Sequence, residues 1–102
     1  MVVIAVMYPH AGGAAFDLDY YMQSHIPLVR RLWSSLGLQD LKVLRGTPGP
    51  DGGPPTYVAM ALLTFTSMDA FKDAAAKHGA EIFDDIPKFT ESKPVLQFSE
   101  TL

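Results

Sequence analysis

The chain has 102 residues, 48% of them hydrophobic and 19% charged, with a formal net charge of -3. That length makes one domain, 1–102, with one modest core, and the acidic balance argues against nucleic acid or an anionic membrane as partner, since both need a basic face. The absence of cysteine excludes disulfides and thiolate metal sites.

The first segment, MVVIAVMYPH, is apolar but lacks a basic lead-in and is too short to cross a bilayer. No later run approaches membrane length, so the expectation is a soluble, cytoplasmic protein. Val2 to Tyr8 reads as a strand, rich in β-branched residues and stopped by Pro9. Both of its parities are apolar, which marks a strand covered on both sides. Pro9 to Ala15, PHAGGAA, reads as a loop that carries His10.

Asp17 is a good N-cap for a first helix reaching Leu36, in which Leu18, Met22, His25, Val29, Leu32 and Leu36 share one face. Pro27 cannot donate to the carbonyl of Gln23 and disfavours helical angles at Ile26. The helix is therefore expected to kink at His25–Ile26, or to stop and restart with Pro27 in its first turn. Gly37 is the expected C-terminal cap.

Leu41 to Arg45 reads as the second strand and Gly46 to Pro55, GTPGPDGGPP, as an irregular connection. Tyr57 to Phe65 is the third strand, again apolar on both parities. Ser67 caps a second helix with Ala70, Phe71, Ala74 and Ala75 inward, expected to end at His78–Gly79. Ala80 to Asp85 reads as a further turn or two closed by Pro87, and Pro94 to Glu100 as the fourth strand.

The order βαββαβ with right-handed crossovers gives an α+β, ferredoxin-like fold: a four-stranded antiparallel sheet, order 4-1-3-2, with two helices on one face. Two helices cover one face only. The apolar second face of strands one and three then calls for a second copy, giving a homodimer whose sheets face each other as an α+β barrel. Ala5, Ala59 and Ala61 on the central strands either let helices approach closely or leave space. Gln97 and Ser99 share a parity on strand four and are candidates for polar contacts to the enclosed space.

His25 is the leading candidate for chemistry. It is a titratable ring on a greasy stripe beside a backbone break, with an ordinary pKa near the working pH. Tyr21, one turn earlier, could orient it or donate to a substrate oxygen. Tyr20, Trp33 and Phe16 are candidates for the wall of an apolar ligand site. The competing reading is a filled core, with His25 bonded to a backbone carbonyl. Asp84 and Asp85 are adjacent, point in different directions, and do not make a glycosidase-like carboxylate pair. The three histidines lack metal-ligand spacing. No GxSxG, P-loop or GxGxxG is present, so neither a bound metal nor a cofactor is expected.

FDLDYYMQSHIPLV, followed by RRLW and LGL, resembles the signature of the EthD family, named for ethyl tert-butyl ether degradation. HGAEIFDDIPKFT is similar to that family's second recurring segment, and the resemblance spans essentially the whole chain. It implies a dimeric α+β barrel and a setting in oxidative catabolism of ethers and other compounds, beside cytochrome P450 systems in some members. The histidine of the YYxxxHxPL pattern falls on His25, and its tyrosines on Tyr20 and Tyr21. Two functions follow as expectations. One is cofactor-free acid–base chemistry on an apolar carbonyl or ring compound. The other is a non-catalytic hydrophobic-ligand or accessory protein for a neighbouring oxygenase.

Overall fold

A computed structural model describes residues 1–10 and 15–102. The stretch 11–14 of the expected PHAGGAA loop lies outside the described residues. Four strands, β1 (Val2–Pro9), β2 (Leu38–Arg45), β3 (Tyr57–Phe65) and β4 (Val95–Glu100), form one sheet in the order β2-β3-β1-β4. All three pairings are antiparallel. This is the expected order, with the two most apolar strands at its centre.

Side-chain alternation sorts the sheet into two faces. Val2, Ile4 and Tyr8 of β1 are buried on one side, beside Ala59, Ala61, Leu63 and Phe65 of β3. The helices cover this face. Val3, Ala5 and Met7 lie on the other, paired with Thr64, Leu62 and Met60, and all six are only half-buried. The helical layer therefore protects one apolar face and leaves the second accessible.

The first helical run reads differently from its sequence. It begins as α1 (Leu18–Tyr20), widens into a π turn (Tyr21–His25), continues as α2 (Ile26–Trp33) and tightens into a 3-10 turn (Ser34–Leu36). There is no break at His25–Ile26. Ile26 has helical angles, φ -62 and ψ -44, and its N–H bonds the carbonyl of Tyr21 five residues back. A π turn contains one more residue per closed ring than an α turn. Pro27 stands in the first turn of α2, as one of the two expected arrangements has it, and a proline is tolerated there because its missing N–H breaks no regular α-helical bond.

The extra residue of the π turn rotates the buried stripe. Tyr21, His25, Ile26, Val29 and Trp33 face inward, whereas Met22, expected on the stripe, is 44% exposed. The caps follow expectation: the Asp17 side chain accepts from the N–H of Tyr20, and Gly37 ends the run at φ 103.

The second helix also corrects its sequence reading. It does not stop at His78–Gly79: α3 runs unbroken over Met68–Asp85, capped by the Ser67 side chain, and passes into a 3-10 turn at Ile86–Lys88. Gly79 is buried mid-helix without a positive φ. A glycine there costs about 1 kcal/mol of helix propensity. Burial of Ala74, Ile82 and Ile86 along the same face offsets that cost, at about 1.5–3 kcal/mol for each large apolar side chain.

Gly37 is held where no side chain is comfortable. A Cβ there would stand 3.0 Å from Cβ of Ala70 and 3.2 Å from Oγ1 of Thr66. Gly37→Ala is expected to destabilise the domain by about 1–2 kcal/mol from its left-handed backbone alone, and by more from crowding. Urea unfolding monitored at Trp33 checks this.

Candidate functional site

Three segments meet under the helix-covered face: the π turn, the C-terminal end of α3 and the segment just after it. The π turn brings in Tyr21 and His25, which are 1% and 3% exposed. The end of α3 brings in Asp85, which is buried. Nδ1 of His25 lies 3.0 Å from Oδ2 of Asp85, and the hydroxyl of Tyr20 donates to Oδ1 at 2.8 Å. Nζ of Lys88, on an exposed side chain, lies 3.5 Å from the same Oδ1. The Asp85 carboxylate thus lies between a buried ring and the protein surface.

Burial lowers the pKa of His25, and the neighbouring carboxylate only partly opposes this. The ring is therefore neutral near pH 7. Burial alone would raise the pKa of Asp85, but the hydrogen bonds from Tyr20 and His25, with the His25 charge and Lys88, outweigh it and hold the carboxyl below its ordinary value. Tyr20 titrates higher than usual, chiefly because its hydroxyl is bonded to Asp85. Burial pushes the phenols of Tyr8 and Tyr21 up, and their mutual proximity adds to the effect on Tyr8.

A cavity of about 40 Å³ opens beside this group. His25, Tyr21, Trp33, Tyr8 and Ala61 border it, with otherwise aliphatic and phenylalanine neighbours. Phe83, another lining residue, is 47% exposed and marks the side on which the cavity approaches solvent. The hydroxyl of Tyr21 is buried and has no hydrogen-bond partner. The Tyr21 ring is stacked almost parallel to that of His25, with centroids 5.7 Å apart. Phe89 packs against both rings, with centroids 4.7 Å from the imidazole and 5.1 Å from Tyr21.

The sequence candidates separate in space. His25, Tyr21 and Trp33 share the cavity, and Nε1 of Trp33 is anchored by donation to the carbonyl of Ala74 at 2.9 Å. Tyr20 is not on the cavity wall, because its hydroxyl is turned to Asp85. Phe16 is also off the wall; it packs edge-on to Tyr8, Tyr21 and Phe89 at 5.1–5.3 Å. Gln97 and Ser99 are exposed beside Ala5 and Val3, on the sheet face away from the helices. The sheet itself separates them from His25, so the imidazole does not border the open face. Asp85, not Tyr21 and not a backbone carbonyl, is the partner of His25. The adjacency of Asp84 and Asp85 concealed this role: Asp84 is exposed and Asp85 is buried three residues after Ile82. Among the described residues no group of three or more His, Asp or Glu could hold a metal ion. No described helix is long and apolar enough to cross a membrane.

An antiparallel four-stranded sheet under two helical runs, enclosing a His–Asp pair beside an apolar cavity, defines the class as a ferredoxin-like α+β domain. The EthD domain matches residues 14–93, and the chain belongs to the EthD family. An EthD-like protein from Ralstonia eutropha JMP134 is 39% identical over 97% of this chain and 89% of its own, with a TM-score of 0.91. An ethyl tert-butyl ether degradation family protein from Bacillus halodurans C-125 is 23% identical over 100% and 99%, with a TM-score of 0.79. A dimeric ferredoxin-like protein from Jannaschia sp. CCS1 is 22% identical over 98% of both chains, with a TM-score of 0.64. No curated protein matches the chain.

The lowered pKa of His25 fixes a direction for stability. An unfolded histidine binds its proton near pH 6.5, before the buried ring does. The contribution of His25 is therefore complete above pH 6.5 and is lost as the pH falls through its lower folded value. Asp85 adds a separate loss, below its ordinary 3.8. The unfolding free energy from urea titrations is expected to fall from pH 6.5 downward, with a slope of at most about 1.4 kcal/mol per pH unit for the one proton. His25→Gln should flatten this window and narrow the lower one, because Asp85 loses the His25 charge that helps hold its carboxyl down.

Proposed function

We propose that the protein binds the end of a small, mostly apolar molecule with one oxygen acceptor and transfers a proton on it, using His25 and Tyr21 and no cofactor. The observation that carries this reading is the Tyr21 hydroxyl, buried without a partner at an apolar cavity that also holds His25. A buried polar group without a partner calls for an explanation, and a ligand oxygen supplies one. With its pKa pushed up, Tyr21 stays protonated and donates to a carbonyl oxygen. Neutral His25 takes a proton from the adjacent carbon. The C–H electron pair forms a carbon–carbon double bond, and charge gathers on the oxygen facing Tyr21. Return of a proton to the same carbon restores the carbonyl and completes an exchange with solvent hydrogen. No electrons leave the substrate, so no redox group is needed.

Trp33 shapes the far wall. A cavity of about 40 Å³ takes the reacting end, and the rest of the molecule extends past Phe83. The setting proposed is catabolism of small organic compounds, which the ether in the family's name supports. The small volume also favours a second reading, a binding protein without chemistry.

The assembly proposed is a homodimer through the open sheet face. Val3, Ala5, Met7, Met60 and Leu62 form its apolar middle, continued by Leu44 on β2 and Val95 on β4 and flanked elsewhere by Asp40, Lys42, Gln97 and Ser99. An apolar centre with a polar rim is the usual anatomy of an interface, and the Jannaschia relative is dimeric. Leu62→Glu is expected to give monomers in sedimentation at micromolar concentration. Monomeric wild-type protein under those conditions would remove the proposed dimer.

Tyr21→Phe discriminates a ligand contact from a packing defect. Removing an unsatisfied hydroxyl should leave the free protein as stable, or more stable by about 1 kcal/mol. Titration with cyclopentanone, read at the indole N–H of Trp33, should show about tenfold weaker binding for that variant, the value of one lost hydrogen bond. Equal affinity would rule out Tyr21 as a ligand donor. His25→Ala should abolish deuterium exchange of the bound ketone while leaving the fold intact. A change in affinity without any exchange in the wild type would select the binding-protein reading.

A further inference from the structure

We infer that Asp85 is the positioning residue of this site: it accepts the Nδ1 proton of His25 and so leaves the ring's lone pair at Nε2, while Tyr20 holds the second carboxylate oxygen through a reach that the π turn makes possible. This rests on the reading of His25 as the proton-transferring base.

The tautomer follows from the partners. A neutral imidazole carries one proton, and a carboxylate has none to give. At 3.0 Å from Oδ2, Nδ1 must therefore be the donor. No described residue hydrogen-bonds Nε2, so the basic nitrogen is left to whatever enters the cavity. The charged and titratable groups around the ring are few. Asp85 faces it from α3, Lys88 and the Tyr20 hydroxyl reach it only through Asp85, and Tyr21 and Tyr8 are neutral phenols. Asp85 is the one group among these that fixes which nitrogen bears hydrogen.

The reach of Tyr20 depends on helix phase. In a regular α-helix, side chains five residues apart point about 140° away from each other. Tyr20 and His25 are five apart, yet both bond the one carboxylate, at 2.8 and 3.0 Å. The π turn closes between Tyr21 and Ile26 and absorbs the surplus residue, so five residues make about one circuit. In α-helical phase Tyr21, four residues before His25, would take that place. Here Tyr21 instead stacks on the imidazole and lines the cavity beside it.

Nitrogen-15 NMR of the histidine side chains tests this on the free protein, with no substrate required. At pH 7 the wild type should show His25 with a protonated Nδ1 and an unprotonated Nε2. Asp85→Ala should move the ring toward the Nε2–H form, which free imidazole side chains favour. Tyr20→Phe should give a mixture of forms, because the carboxylate loses one of its two fixings, and Tyr21→Phe should leave the tautomer unchanged. An Nε2–H form in the wild type, which needs no variant to fold, would overturn the role of Asp85. A tautomer sensitive to Tyr21→Phe but not to Tyr20→Phe would overturn the helix-phase argument. If the tautomer is as stated but exchange on a ketone survives His25→Ala, the positioning stands and the proposed reaction falls.

Discussion

The bond between His25 and Asp85 links the two halves of the helical layer. One end lies in the π turn and the other on the last turn of α3, 60 residues later. An isolated buried carboxylate is costly, and removing its partner more costly still. Asp85 avoids this in two ways. Its oxygens are each bonded, by Tyr20 and by His25, and Lys88 lies at its outer edge. The ring it meets is neutral, so what is buried is one shared charge near the surface rather than an ion pair in the core. The geometry is therefore stable only if both helical runs keep their phase, which ties the site to the fold.

The sheet divides the molecule's apolar surface between two tasks. Residues of one parity on β1 and β3 support the helices and the cavity; those of the other parity form an open face. A sheet one side chain thick in each direction prevents the two from sharing residues. Substitution on the open face can change assembly without entering the His25 site, and the reverse also holds. The polar side chains of β4, Gln97 and Ser99, fall to the open face for the same reason.

How far the residues foretold this differs by element. Strand order, both helix caps and the bare second face were legible because they depend on period-two alternation and on capping chemistry, which are local. His25 was legible as a titratable residue among apolar neighbours. Asp85 carries the same signal, an acid in line with Ile82 and Phe89, but Gly79 read as a helix end and so erased the phase that links Asp85 to Ala74 and Ile82. Met22 left the stripe for a similar reason. The stripe was laid out at 3.6 residues per turn, and the π turn adds a residue that no local pattern announces.

Both errors lie at positions where a local rule yields to a buried partner. Pro27 should interrupt a helix and does not, because it stands in the first turn of α2, where its missing N–H breaks no regular α-helical bond. Gly79 should end a helix and does not, because the face it sits on is buried. Each exception serves the same contact. If the first helix stopped at Ile26, nothing would fix His25 against Phe89. If α3 stopped at Gly79, Asp85 would fall on an arbitrary face. The wide turn and the unsatisfied phenol both lie against the imidazole, and a buried hydroxyl without a partner costs stability.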